Sequence, residues 1–150
     1  MIWWIYSEIY DVFYLDELPC PADKVIQEPR LVSIINQKKA EKKKLVYCSL
    51  GTVTREFQRD CEVFFNKVLK GAQENTQLHF ILNVGKHFDV HKLDPLPGNV
   101  SVFDKVEQHS LLKEVDVMIN HGGINSIKEC IVNEVPMLVY PLSPYWDQPG

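Results

Sequence analysis

The chain's 150 residues suffice for one compact domain with a core of its own. A hydrophobic share of 45% beside 24% charged residues matches an ordinary soluble globular protein. The net charge of −4 gives no overall electrostatic support for a nucleic-acid partner, and it does not point to a membrane-surface protein.

The chain opens on the apolar stretch Met1 to Tyr6, soon broken by Glu8 and Asp11. That is short of the roughly 20 apolar residues of a membrane-spanning helix, and it lacks the basic start of a secretory signal. The rings of Trp3, Trp4, Tyr6, Tyr10, Phe13 and Tyr14 are expected either to pack locally or to cover a docking patch. Residues 1–37 show no sustained period and carry Pro19, Pro21 and Pro29, which predicts extended segments and turns with one short strand near Leu31–Ile35. The charge run Lys38 to Lys44 reads as a solvated connection, so residues 1–44 are expected to form an irregular lead-in and linker.

From Leu45 the pattern becomes regular. Leu45–Leu50 is a short apolar run ending at Gly51-Thr52, which suits a buried strand stopped by a turn. Phe57, Cys61, Phe64, Phe65, Val68 and Ala72 recur at helical spacing between about Thr54 and Asn75. Leu78–Val84 predicts a second strand, residues 85–98 a long loop with Pro95, Pro97 and Gly98, and Asn99–Phe103 a third strand. A short helix over Gln108–Glu114 leads to a fourth strand at Val115–Ile119. A helix over Gly123–Val132 precedes a fifth strand at Pro136–Tyr140. Alternation of apolar strands with helices predicts an α/β fold: a doubly wound parallel sheet of Rossmann-like type, covered on both faces. A further helix is expected beyond the last strand, so the domain reads as incomplete at its C-terminus.

None of Cys20, Cys48, Cys61 and Cys130 has C-x-x-C spacing, and they read as buried thiols in a reducing cytosol. That places the chain in the cytoplasm as an expectation.

Ligands of such sheets bind at the carboxyl ends of the strands. Three segments qualify: Ser49 to Thr52, Asn120 to Ser126, and Pro141 to Gln148. The middle one runs from a strand through Gly122-Gly123 into a helix, whose first amides and positive dipole end suit a phosphate. Asn125 and Ser126 fall in the first helical turn, His121 sits at the strand edge, and Glu129 lies one turn further along, placed to accept from ribose hydroxyls. The plainer reading is a tight strand-to-helix turn with Asn125 and Ser126 as caps. Neither G-x-x-x-x-G-K-[ST] nor G-x-G-x-x-G occurs, which disfavours a dinucleotide oxidoreductase.

Four separated stretches then agree with one family. Val46–Thr52, Val106–Leu112, His121–Ser126 with Glu129, and Pro136–Pro141 through Asp147-Gln148 together resemble the donor-binding, C-terminal domain of UDP-glycosyltransferases with the GT-B fold, of the macrolide-type branch. The resemblance covers about Leu45 to Gly150. It implies that His121, Gly122 and Gly123 hold a diphosphate with Asn125 and Ser126 beside them, and that Ser49, Gly51 and Thr52 border it from the opposite loop. It implies Glu129 on the ribose, Gln108 and the backbone near Val106 against the uracil, and Asp147 and Gln148 on the sugar. Glu107 stands where the family often has proline, and Lys105 where some branches carry a tryptophan that stacks on uracil. No metal or other cofactor is expected, because helix dipole and side-chain donors stabilise the leaving diphosphate.

The expected function is transfer of a hexose from a UDP-sugar to a small hydroxylated acceptor with inversion, the catalytic base coming from an acceptor domain outside these residues. The alternatives are a non-catalytic nucleotide-sugar-binding subunit working with a separate acceptor-domain partner, and a phosphate-binding α/β protein of another class. His87, Asp89, His91 and Asp94 crowd one loop at spacing that matches no standard metal site, and read as solvated. His79 and His109 read as surface or core residues, and Asp116 receives no role.

Overall fold

The structure is a computed structural model describing residues 24–51 and 58–142. The N-terminal aromatics, Cys20, Thr52, Asp147 and Gln148 lie outside the described residues.

The first element corrects an expectation. Residues Pro29–Ala40 form a helix, α1, where the sequence pattern had predicted a strand near Leu31–Ile35 within an irregular lead-in. Pro29 occupies the first turn, where its missing N–H costs nothing. The Glu28 carboxylate accepts the Arg30 amide, and Lys38 and Lys39 sit in the last turn, where the helix dipole favours cations. Leu31 and Ile35 are four residues apart, so they share one face, and both are buried. The charge run is correspondingly shorter as a connection: only Glu41–Lys43 separate α1 from the first strand, β1 (Lys44–Ser49).

The remaining elements follow the predicted order. They are α2 (Gln58–Glu74), β2 (Leu78–Asn83), a 3-10 turn at Val90–Leu93, β3 (Val100–Phe103), α3 (Gln108–Leu112), β4 (Val117–Asn120), α4 (Ile124–Val132) and β5 (Met137–Val139). All strand pairs are parallel, in the order β3-β2-β1-β4-β5.

Alternate strand residues feed two cores, as expected for a sheet covered on both faces. Val46, Cys48, Phe80, Leu82, Val100 and Val102 pack against Phe64, Phe65 and Val68 of α2. Leu45, Tyr47, Ile81 and Met118 pack on the other face against Leu31 and Ile35 of α1, Leu111 and Leu112 of α3, and Cys130 of α4. Each fully buried side chain of this size contributes about 1.5–3 kcal/mol. Cys48, Cys61 and Cys130 are buried free thiols, each pushed upward by burial.

The chain runs outward from β1 through β2 to β3, then returns to the other side of β1 for β4 and β5. The direction of winding therefore reverses between β1 and β4. That reversal opens a crevice beyond their carboxyl ends.

Candidate functional site at the carboxyl edge of the sheet

Register brings Asn83, Ser49, Asn120 and Val139 into one row at the carboxyl edge. Ser49 and Asn120 are buried and use one device: each accepts the N–H of the glycine two residues on. Ser49 Oγ lies 3.2 Å from the Gly51 amide, and Asn120 Oδ1 lies 2.7 Å from the Gly122 amide. Both glycines have positive φ, +66° at Gly51 and +90° at Gly122, a region that penalises any Cβ. At Gly122 a Cβ would also fall 3.1 Å from Val139 Cγ1.

The His121 ring joins the two turns. A Cβ at Gly51 would lie 3.1 Å from His121 Cε1, and one at Gly123 would lie 2.7 Å from His121 Nε2. The imidazole therefore lies against both backbones across the switch point. Burial holds its pKa below the ordinary histidine value, which keeps it neutral near pH 7. Gly123 is the N-cap of α4 and supplies no side chain to cap it; Ile124 and Asn125 of the first turn are exposed. The amides of that turn thus face the crevice edge uncapped by the N-cap residue, with the positive end of the helix dipole behind them.

Beside this lies a second group. Gln108, the first residue of α3, donates through Nε2 to Glu129 Oε2 at 2.8 Å and to Ser126 Oγ at 3.2 Å. Its Oε1 accepts from the Tyr47 phenol at 3.2 Å, and Asn83 Nδ2 donates to that phenol at 3.3 Å. Burial pushes the Tyr47 pKa up to about 12, so it stays protonated.

The structure thus gathers Ser49, Gly51, His121, Gly122 and Gly123 in one cluster, and Gln108, Ser126 and Glu129 in an adjoining one. Ser126 turns toward Gln108, while Asn125 is exposed on α4. Val106 packs on the core beneath α3. Tyr47 and Asn83 were missed by the sequence reading. A tyrosine inside an apolar strand needs a partner for its hydroxyl, and that signal was available at Tyr47. Asn120 Nδ2 and Asn83 Oδ1 are buried with no hydrogen-bond partner among the described residues, so the floor of this edge keeps unspent polar capacity.

The other polar candidates have structural roles. Asp116 stands at the amino edge, opposite the crevice, where its carboxylate accepts from the Leu45 amide and from Lys44. His79 is buried against Ser101 at 3.0 Å, and His109 is buried with Asn133 at 3.3 Å. In the 85–98 loop, Asp89 caps the 3-10 turn by accepting the His91 amide, and His91 meets Asp94. No helix among the described residues is long and apolar enough to cross a membrane.

A doubly wound parallel sheet with two glycine turns clasping a histidine at its switch point defines a Rossmann-like α/β domain of the kind that binds ligands at that edge. The chain belongs to the UDP-glucoronosyl and UDP-glucosyl transferase family, whose model matches residues 27–149. Its fold is that of the C-terminal part of GT-B glycosyltransferases. It is 32% identical over 97 residues to the NDP-glycosyltransferase YjiC of Bacillus subtilis (strain 168), covering 65% of this chain and 24% of that protein. It is 32% identical over 108 residues to the oleandomycin glycosyltransferase of Streptomyces antibioticus, covering 70% and 24%. The crystal structure of the glycosyltransferase VinC in complex with DTDP is similar with a TM-score of 0.52 at 25% identity, over 70% of this chain and 25% of that one. The chain spans about a quarter of the length of these relatives.

Proposed function

We propose that the chain carries the nucleotide-sugar donor site of a UDP-dependent glycosyltransferase that moves a hexose to a small hydroxylated acceptor with inversion. The carrying observation is the seating of His121 between Gly51 and Gly123 at the switch point, directly before the N-terminus of α4. Two loops and a helix dipole there meet where an anion would be stabilised.

In this reading His121, the backbone at Gly122 and Gly123, and Asn125 and Ser126 receive the diphosphate, with Ser49, Gly51 and Thr52 on its far side. Glu129 takes the ribose, Val106 and Gln108 the base, and Asp147 and Gln148 the sugar. A neutral His121 donates one N–H to a diphosphate oxygen, and the helix end stabilises charge as the diphosphate leaves. Metal is not required by this chemistry. The base that deprotonates the acceptor hydroxyl comes from the acceptor side of the protein, outside these residues. The relative bound to DTDP supports a pyrimidine nucleoside diphosphate as the carrier. The buried thiols fit a cytoplasmic location.

Calorimetric titration with UDP, TDP and GDP tests the reading. The expected result is preferential binding of UDP, weakened by about 1–3 kcal/mol in His121→Ala, the size of a hydrogen bond to a charged group. Equal, weak binding of all three nucleotides to both proteins would overturn it.

A further inference from the structure

We propose that Tyr47 is a positioning residue for ribose recognition, fixing through its phenol the Gln108 carboxamide that holds the Glu129 carboxylate. The inference rests on the reading of Glu129 as the ribose-binding residue.

Tyr47 is 0% exposed, so it acts only through its neighbours. The chain of bonds it belongs to has one consistent direction. Asn83 Nδ2 donates to the phenol oxygen, which leaves the single phenolic proton for Gln108 Oε1. Gln108 then has its two amide protons for Glu129 Oε2 and Ser126 Oγ. The opposite amide orientation would set Gln108 Oε1 against the Glu129 carboxylate, which is repulsive. The carboxylate therefore selects the orientation, and the phenolic proton holds Gln108 Oε1 in it.

The network spans four elements: Asn83 ends β2, Tyr47 lies in β1, Gln108 opens α3, and Ser126 and Glu129 occupy successive turns of α4. It therefore locks the start of α3 to α4 at the crevice. Glu129 Oε2 is engaged by Gln108, while Oε1 makes no hydrogen bond among the described residues and keeps its acceptor capacity for a hydroxyl. A carboxylate held this way is pre-set, and a ligand hydroxyl need not order it on binding. Removing the phenol frees Gln108 to turn, and Glu129 loses its anchor.

The test uses the full chain and two probes, UDP and 2′,3′-dideoxyuridine diphosphate, which differ only in the ribose hydroxyls. Tyr47→Phe should bind UDP about tenfold more weakly, the size of one oriented hydrogen bond, and bind the dideoxy analogue as the wild type does. Gln108 also lies against the base in this reading, so Gln108→Leu should weaken both probes and UDP the more. The double variant should add no further ribose-dependent loss, because the two residues act in one chain. Where Tyr47→Phe fails to fold, Asn83→Ala carries the test with a smaller loss of the same selectivity. A folded Tyr47→Phe protein that keeps its UDP affinity, or loses affinity for both probes alike, overturns the inference. A wild-type chain that binds both probes equally removes Glu129 as the ribose residue, and that failure is distinct because it shows before any substitution is made.

Discussion

The two glycines that follow His121 are constrained for different reasons, and substitution separates them. Gly122 needs its positive φ; Gly122→Ala forces a Cβ into a strained backbone and against Val139, at a cost of about 1–2 kcal/mol. Gly123 has an ordinary N-cap backbone with φ −61° and ψ 132°, so alanine is not strained there. Its methyl would instead stand 2.7 Å from the imidazole and displace it. Gly123→Ala should therefore reduce nucleotide affinity to about the extent of His121→Ala, by about 1–3 kcal/mol, while chemical denaturation shows little change. Gly122→Ala should lower the denaturation midpoint clearly. Unchanged nucleotide affinity in Gly123→Ala would show that the ring moves freely and is not clasped, and an unchanged midpoint in Gly122→Ala would show that its backbone is not strained.

At the scale of elements, the turn between α2 and β2 is tied to β3 by one side chain. Asn99, immediately before β3, donates to Ala72 O at 2.9 Å, Leu78 O at 3.1 Å and Asn75 O at 3.2 Å. Its two amide protons are shared among these three carbonyls, and the side chain ties α2, β2 and β3 together. Asn99→Ala should cost about 1–3 kcal/mol in urea unfolding without changing nucleotide affinity, because this turn lies at the amino edge of β2, away from the crevice. The elements the sequence made legible were those with a long apolar run or a full helical stripe: β1 to β5, α2 and α4. Helix α1 was not legible because only Leu31 and Ile35 of its twelve residues are buried, too few to display a period against surrounding charge. The glycine turns and His121 stood out because they interrupt a pattern. Tyr47 and Asn83 did not, because their role depends on Gln108, which lies 61 residues beyond Tyr47 and meets it only once the sheet has formed.

At the scale of the whole molecule, alternation of strands and helices foretold a parallel doubly wound sheet, but not its strand order. That order is set by where the chain reverses, after β3, and no local residue pattern records it. One consequence is that β2 brings His79 beneath the end of α1. Burial depresses its pKa to about 4, and Lys38 and Lys43 press it the same way, while Glu41 opposes them. The unfolded chain takes up this proton near pH 6.5, and the folded one only near pH 4. The neutral ring's contribution is therefore fully present above pH 6.5 and is lost as pH falls toward 4. Its size is on the order of 3 kcal/mol. Asp116 titrates in a separate window. Burial raises its pKa, but the bonds from Lys44 and the Leu45 amide outweigh this and leave it below the usual carboxylate value. Its contribution is thus lost only below about pH 4. Urea midpoints measured from pH 7.5 to 4.5 should fall for the wild type and stay much flatter for His79→Gln. An unchanged slope in that variant would place the acid sensitivity elsewhere in the fold.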